Sequence, residues 1–320
     1  MREQSHAGLI SFVSRYGIYI LFLFMVLALS LINANFRTLN NVLNVLIQVS
    51  SYMILGIGMT FVIMTGGIDV SVGAVMVVSA SVYVVLTQVY GVSEPVGLLA
   101  LLGVASAMGV VNGVAIAYFR MPAFLVTLAT QCAGRGIAMV LTGGISFRNL
   151  GRSFTVIGKQ SFLYLPIMVW IPVLMLIAGY LLMHRTVYGR KVMAIGGNIN
   201  AAHVSGIDVR VVTMSAYILL GVISGLAGIM TMSRLGSYYA AMGSGMEFMV
   251  IAGVVIGGTS LAGGEGSILG TLVGTLIIGI INNILNLFGV SAVWQDVARG
   301  VVIFAAVMFD AARSRFGRTE

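Results

Sequence analysis

Few residues in this sequence could do chemistry. The nine acidic residues are Glu3, Asp69, Glu94, Asp208, Glu247, Glu265, Asp296, Asp310 and Glu320, all near the ends of apolar runs or in the loops between them. The three histidines, His6, His184 and His203, have no metal-like spacing and no accompanying cysteine cluster, which argues against a zinc site. NLGRSFTVIGKQ (149–160) approaches a phosphate-binding loop. However, Gly151 and Gly158 are too far apart, and Gln160 stands where Ser or Thr is needed. GGEGSILG (263–270) has the glycines of a nucleotide loop without the strand–helix unit that would use them. An integral-membrane enzyme finds no metal or nucleophile constellation here, and the chain carries no motif of its own for ATP.

A second group consists of charges and amides set in apolar surroundings. A charge at mid-membrane costs about 2.5–3.5 kcal/mol on insertion scales, so each needs a reason. Arg135 lies deepest, about 13 residues into its apolar run. Arg299 follows Asp296 by one helical turn and can pair with it. Glu247 opens a run, and Asp69 sits at the edge of another. Two readings of these residues stay open: ion pairs and anchors that hold helices together, or groups that line or gate a solute path. A carrier coupled to protons or sodium wants carboxylates or histidines near mid-membrane, and almost none are there. Energy for uphill transport therefore has to come from elsewhere. Asn112, Asn282 and Asn283 place uncharged amides in apolar runs. Such groups suit either interhelical hydrogen bonds or the hydroxyls of a polyol or sugar.

The elements that would hold these residues are membrane helices. Of 320 residues, 59% are hydrophobic and only 8% charged, against about 25% charged in a soluble domain. Mean hydropathy is +1.06. Apolar runs near 16–32, 42–65, 72–90, 95–119, 122–142, 161–183, 211–235, 246–262, 267–288 and 293–312 predict about ten transmembrane helices. The runs at 72–90 and 246–262 are short enough to be tilted or interrupted, so the count stands at eight to ten. The first run is long for a signal peptide and lacks a small-x-small cleavage site, which makes it an uncleaved span. The expected fold is an all-α integral membrane protein, a single transmembrane domain over 1–320.

Charge sets the orientation. With the N-terminus inside, the inner segments hold Arg2, Arg15, Arg120, Arg185, Arg190, Lys191, Arg210, Arg313, Arg315 and Arg318. The outer ones hold Arg37, Arg148, Arg152 and Lys159. The positive-inside rule then puts both termini in the cytoplasm. It also accounts for the net charge of +8 without nucleic acid as a partner. Glycines four apart, at 109 and 113, 221 and 225, 253 and 257, and 266, 270 and 274, predict close helix packing. The lone Cys132 can form no intramolecular disulfide.

One polar-flanked loop stands out, YGRKVMAIGGNINAAHVSGIDVR (188–210). Its interior predicts a short helix with Asn198 or Asn200 as N-cap, Ala201 and Ala202 within it, and Gly206 at its left-handed end. So short a helix is marginal alone in water and must pack on its own domain or on a partner.

Four segments carry a family resemblance: GMTFVIMTGGIDVSVGAV (58–75), NGVAIAYFRMPAFLVTLAT (112–130), YGRKVMAIGGNINAAHVSGIDV (188–209) and MEFMVIAGVVIGGTSLAGGEGSILGT (246–271). They resemble the permease subunits of bacterial ABC sugar importers of the ribose, xylose, galactose and autoinducer-2 type. That type lies within a broader group that includes branched-chain amino-acid permeases. The resemblance runs from about 35 to 312. It implies a multi-pass protein of the bacterial inner membrane working beside a second permease subunit, identical or related. Two cytoplasmic ATPases would bind the ATP and Mg, a periplasmic binding protein would deliver the solute, and this chain would bind no cofactor. It further implies that the loop 184–210 couples to the ATPase, with Arg190, Lys191, Asn198, Asn200, Ala201, Ala202 and Gly206 as docking residues. The implied solute is a monosaccharide or related polyol. Other small solutes, such as an autoinducer-2-like molecule or an amino acid, remain alternatives within the class, and a stand-alone carrier or channel is the alternative outside it. The chain departs from the family at Met249, where an acidic residue commonly follows two positions after the glutamate that matches Glu247.

Overall fold

In the computed structural model, residues 2–316 are described. The side chains of residues 2–15, 152, 153, 292 and 309–316 lie outside the description, and with them Arg2, Arg15, Arg152, Arg313 and Arg315 of the orientation argument; Arg318 lies beyond the described range. The helices are α1 (Arg2–Ile32), α2 (Leu39–Met64), α3 (Val72–Val84, continued by a π turn, Val85–Val89), α4 (Glu94–Ala117), α5 (Ala123–Thr142), α6 (Arg152–Lys159), α7 (Ile167–Arg185), α8 (Val187–Gly197), α9 (Ile199–Val204), α10 (Val209–Leu235), α11 (Met246–Ile256), α12 (Ile268–Leu287) and α13 (Ala292–Phe316). Two antiparallel two-stranded ribbons decorate the connections. β1 (Phe147–Arg148) pairs with β4 (Ser237–Tyr238), and β2 (Ser161–Phe162) with β3 (Leu165–Pro166).

Among the described residues, seven helices are long and apolar enough to cross a membrane: α2, α3 with its π turn, α4, α5, α7, α10 and α12. Two shorter apolar helices span Tyr16–Ile32 and Met246–Ile256. The difference from the ten expected runs is clearest at 246–262. There α11 stops after 11 residues, a rise of about 16 Å against a hydrocarbon thickness of about 30 Å. Gly257 and Gly258 (φ 88°) end it, and the chain turns through Gly263 (φ 87°) and Gly264 (φ 79°) before α12 begins. A hydropathy profile averages over that turn, because glycine is not polar.

The centre of the bundle is α2, which touches α7, α10, α11 and α12. Its inner half, Ile54, Leu55, Ile57, Met59, Phe61, Val62, Ile63 and Met64, is fully buried. In lipid, apolar burial alone gives little drive for helices to associate, so backbone proximity and polar contacts must supply it. A β-carbon added at Gly109 would meet the backbone of Tyr217 and one at Gly221 the backbone of Ala105, so α4 and α10 cross in direct backbone contact. Glycines 253, 257, 270 and 274 do the same for α11 and α12. Thr60 and Thr271, both fully buried, share a hydrogen bond of 2.7 Å between α2 and α12.

One end of the bundle gathers the connector 65–71, the 118–122 turn, the α8–α9 segment and the 263–264 turn. Backbone there is interlocked: Gly264 N donates to Met64 O at 3.0 Å, and a β-carbon at Gly196 would overlap both of those atoms.

Candidate functional site

The polar loop folds as two short helices. Thr186 caps α8 by accepting from Gly189 N at 3.3 Å. Asn198 ends α8 in an extended conformation and caps α9, its Oδ1 accepting from Asn200 N and Ala201 N, each at 3.0 Å. Gly206, at φ 79°, closes α9 in the left-handed region, where a β-carbon would be strained. The segment is firmly held. Val192 and Ile195 are buried, Tyr188 packs against Phe61 at 6.0 Å between ring centroids, and Ser215 Oγ donates to the Tyr188 hydroxyl at 3.1 Å. Movement of α8–α9 is thereby tied to α2 and α10.

Of the expected docking residues, Arg190, Asn198, Asn200, Ala201 and Gly206 are exposed and Lys191 is half-buried. Ala202 is 4% exposed and turned into the protein, so it anchors α9. The outward surface is completed by Ile199 and Val204, 55% and 88% exposed. Beside α9 opens a cleft of about 1000 Å³, walled by the connector at Thr65–Gly67, by Arg120, and by Asn200, His203 and Arg210. Arg210 lies over the Tyr118 ring at 5.9 Å, which links the start of α10 to the end of α4.

Above the cleft, the connector carries a buried polar knot. Asp69 is 3% exposed, and its Oδ1 accepts from Ser71 N at 2.7 Å and Ser71 Oγ at 2.6 Å. Burial pushes its carboxyl above the usual carboxylate range, against the lowering effect of the Ser71 hydrogen bonds. Asn112 Nδ2 donates to Ser71 Oγ at 2.9 Å and its Oδ1 accepts from Thr130 Oγ1 at 2.5 Å. Asp69 and Asn112, expected separately, are thus parts of one assembly joining the connector, α4 and α5.

The other two amides go elsewhere. Asn283 and Asn41 exchange hydrogen bonds, Asn41 Nδ2 to Asn283 Oδ1 at 3.1 Å and Asn283 Nδ2 to Asn41 Oδ1 at 2.8 Å, between α12 and α2. Asn282 Oδ1 accepts from Arg299 Nε at 3.4 Å, and Arg299 also bridges to Asp296 at 2.8 Å on the flank of α13. Met249 is buried and lies against the Asn282 amide.

Arg135 and Glu247 are brought near each other from α5 and α11. Glu247 is 2% exposed, and Gln131 Nε2 donates to its Oε1 at 2.5 Å. Sequence reasoning passed over Gln131, although it precedes Arg135 by four residues on one helix face. It also passed over Ser71, which has a partner in Asp69 two residues away and another in remote Asn112, and Thr130 and Gly196, which meet residues remote in sequence. Among the described residues, no three His, Cys, Asp or Glu side chains gather as a metal site.

Comparison with known proteins adds the following. A family model described as "Branched-chain amino acid transport system / permease component" matches residues 41–307. The chain is 40% identical to the ribose import permease protein RbsC of Escherichia coli (strain K12) over 292 residues, 90% of this chain and 91% of that protein. It is 40% identical to RbsC of Bacillus subtilis (strain 168) over 314 residues, covering 98% and 97%. The D-allose transport system permease protein AlsC of E. coli is 36% identical over 303 residues, covering 93% and 92%. No solved structure matches significantly.

Proposed function

The chain belongs to the family of branched-chain amino acid transport system permease components, and on that premise we propose that it is the membrane-spanning subunit of an ATP-driven importer for a monosaccharide or related polyol. It works in the inner membrane as a multi-pass protein. The relatives' names, ribose and allose permeases, support the sugar reading. The seven long apolar helices, with the apolar half of α1 and with α13, support eight to ten crossings. Ten crossings, with α11 and its return turn completing one, leave both termini on one side, and the charge bias of the connecting segments supports the cytoplasm as that side.

Hydrolysis of ATP falls to partner ATPases, delivery of solute to a binding protein, and the second half of the pathway to another permease subunit. The observation that carries this reading is the α8–α9 segment. Its outer surface is free, while its inner surface is locked to Met64 and Gly264 backbone and to the Phe61–Tyr188 contact. Such a lever passes a displacement at α9 to the core helices. Closure of the ATPases pulls on it, and the bundle shifts between two packings, outward- and inward-facing. No covalent step on the solute is needed.

The test is a photoreactive residue at the exposed Ala201 in native membranes. Transfer of the crosslink to a soluble ATPase is the expected result. Capture of lipid or of this protein alone would favour a carrier that works without an ATPase.

A further inference from the structure

Half-buried Arg135 and buried Glu247 hold two open hydrogen-bonding valences. Arg135 Nη2 and Glu247 Oε2 are both buried and have no partner, although the other carboxyl oxygen, Oε1, is held by Gln131. Both open atoms face the same point, the bare Cα of Gly73 at the start of α3. A β-carbon there would lie 2.9 Å from Glu247 Oε2 and 3.2 Å from Arg135 Nη2, and would overlap Gly243 O. The guanidinium and the carboxyl group come this near without closing into an ion pair. An orphaned buried polar atom is costly, and a charged one more so, so a state that satisfies both is favoured over this one.

The open atoms are closed off in this conformation, and on one side the site borders an exposed face of α5. Along α5, Ala129, Cys132, Ala133 and Gly136 form an exposed strip of small residues, and Thr130, Gln131 and Arg135 stand half-buried at its border. A lipid-facing arginine near mid-span is expensive, so this strip faces protein or water. The chemistry of the open atoms selects the ligand. An anion would be repelled by Glu247 and a cation by Arg135, whereas a hydroxyl both accepts and donates.

Resting on the permease reading above, we propose that Arg135, Gln131 and Glu247 form a membrane-embedded contact site for a neutral, polyhydroxylated solute. Arg135 Nη2 donates to a hydroxyl oxygen, and Glu247 Oε2 accepts from that hydroxyl or its neighbour. Gln131 positions the carboxyl group, and glycine at 73 keeps the notch open.

Cys132, the only cysteine in the chain, is exposed next to Gln131 and reports on the site. The permease–ATPase complex in lipid nanodiscs, without binding protein, is alkylated by a neutral maleimide in the presence of rising D-ribose, D-allose or L-arabinose. At least one sugar is expected to slow alkylation in the wild type. In Glu247→Gln and Arg135→Gln, the half-protecting concentration should rise roughly tenfold or more, the loss of one hydrogen bond to a charged group. Arg135→Lys, which keeps a donor, should recover part of that. Sugar-free alkylation rates should match the wild type, so that the loss reads as weaker sugar binding and not as a rearranged α5. Equal protection in wild type and variants overturns the site, and so does protection of the wild type by none of the sugars. ATP-driven uptake of a sugar by the wild-type importer without any protection overturns the site and leaves the permease reading standing. Absence of such uptake in the wild type counts against both.

Discussion

Two adjacent glycines offer a sharp test of the lever. Gly196 and Gly197 end α8 side by side, yet their surroundings are opposite. A β-carbon at 196 would overlap the backbone oxygen of Met64 and the backbone nitrogen of Gly264, while one at 197 would meet nothing within 4 Å. Neither obstacle at 196 is a flexible side chain. Both belong to backbone that is itself hydrogen-bonded, Gly264 N to Met64 O at 3.0 Å. Gly196→Ala must therefore push α8 away from the ends of α2 and the 263–264 turn, or break that hydrogen bond. Overpacking of this kind costs about 1–3 kcal/mol, which as a coupling energy is a factor of about 5–150. The assay is ATP-driven uptake into proteoliposomes at matched protein amounts, beside solute-independent ATP hydrolysis. Gly196→Ala should lower uptake per ATP hydrolysed by that factor while membrane insertion is kept, and Gly197→Ala should behave as wild type. Unchanged coupling in Gly196→Ala, or equal losses in both, would refute the mechanical reasoning.

Other expectations follow from single contacts. Gly206→Val places a β-branched residue at φ 79°, a strain of at least about 1–2 kcal/mol; crosslinking from Ala201 to the ATPase should fall several-fold, and Gly206→Asn should retain most of it. Asn283→Leu removes both hydrogen bonds with Asn41 and should lower stability in detergent melts by about 1–3 kcal/mol, while the double change with Asn41→Leu should recover much of the loss. Asn112→Leu strips a donor from Ser71 and an acceptor from Thr130; uptake should drop while the Ala201 crosslink persists, and loss of the crosslink would make Asn112 scaffold. The pKa of Asp69 is raised above the usual 3.8 by burial, so the folded state holds its proton longer than the unfolded one. Wild-type stability should fall as pH rises from about 3.8 through the raised value, and Asp69→Asn should remove that slope in a melt-versus-pH series.

Much of the scaffold was legible because lipid demands long apolar runs with their backbone hydrogen bonds satisfied locally. The runs at 42–65, 95–119, 122–142 and 267–288 become α2, α4, α5 and α12 within a few residues. The caps at Asn198 and Gly206 were legible too, since each acts over two or three residues. The glycines four apart in α4, α10, α11 and α12 announced close packing without saying against what.

The rest depended on where the chain returns to itself. The break after Ile256 is made by glycines that read as apolar to a hydropathy average. That Asn112 serves Ser71, that Asn283 serves Asn41, and that Ala202 faces inward are facts about neighbours far along the chain. The gap from Gln131 to Glu247 is 116 residues, and neither side chain names its partner. Composition and run length thus determined a helical membrane protein with one polar-flanked helical segment between its apolar runs, because those signals act locally along the chain. Tertiary packing alone decided which polar atoms are satisfied and which are left open, those on Arg135 and Glu247 beside Gly73 among them, because hydrogen-bond satisfaction is a property of contacts between helices and not of any one of them.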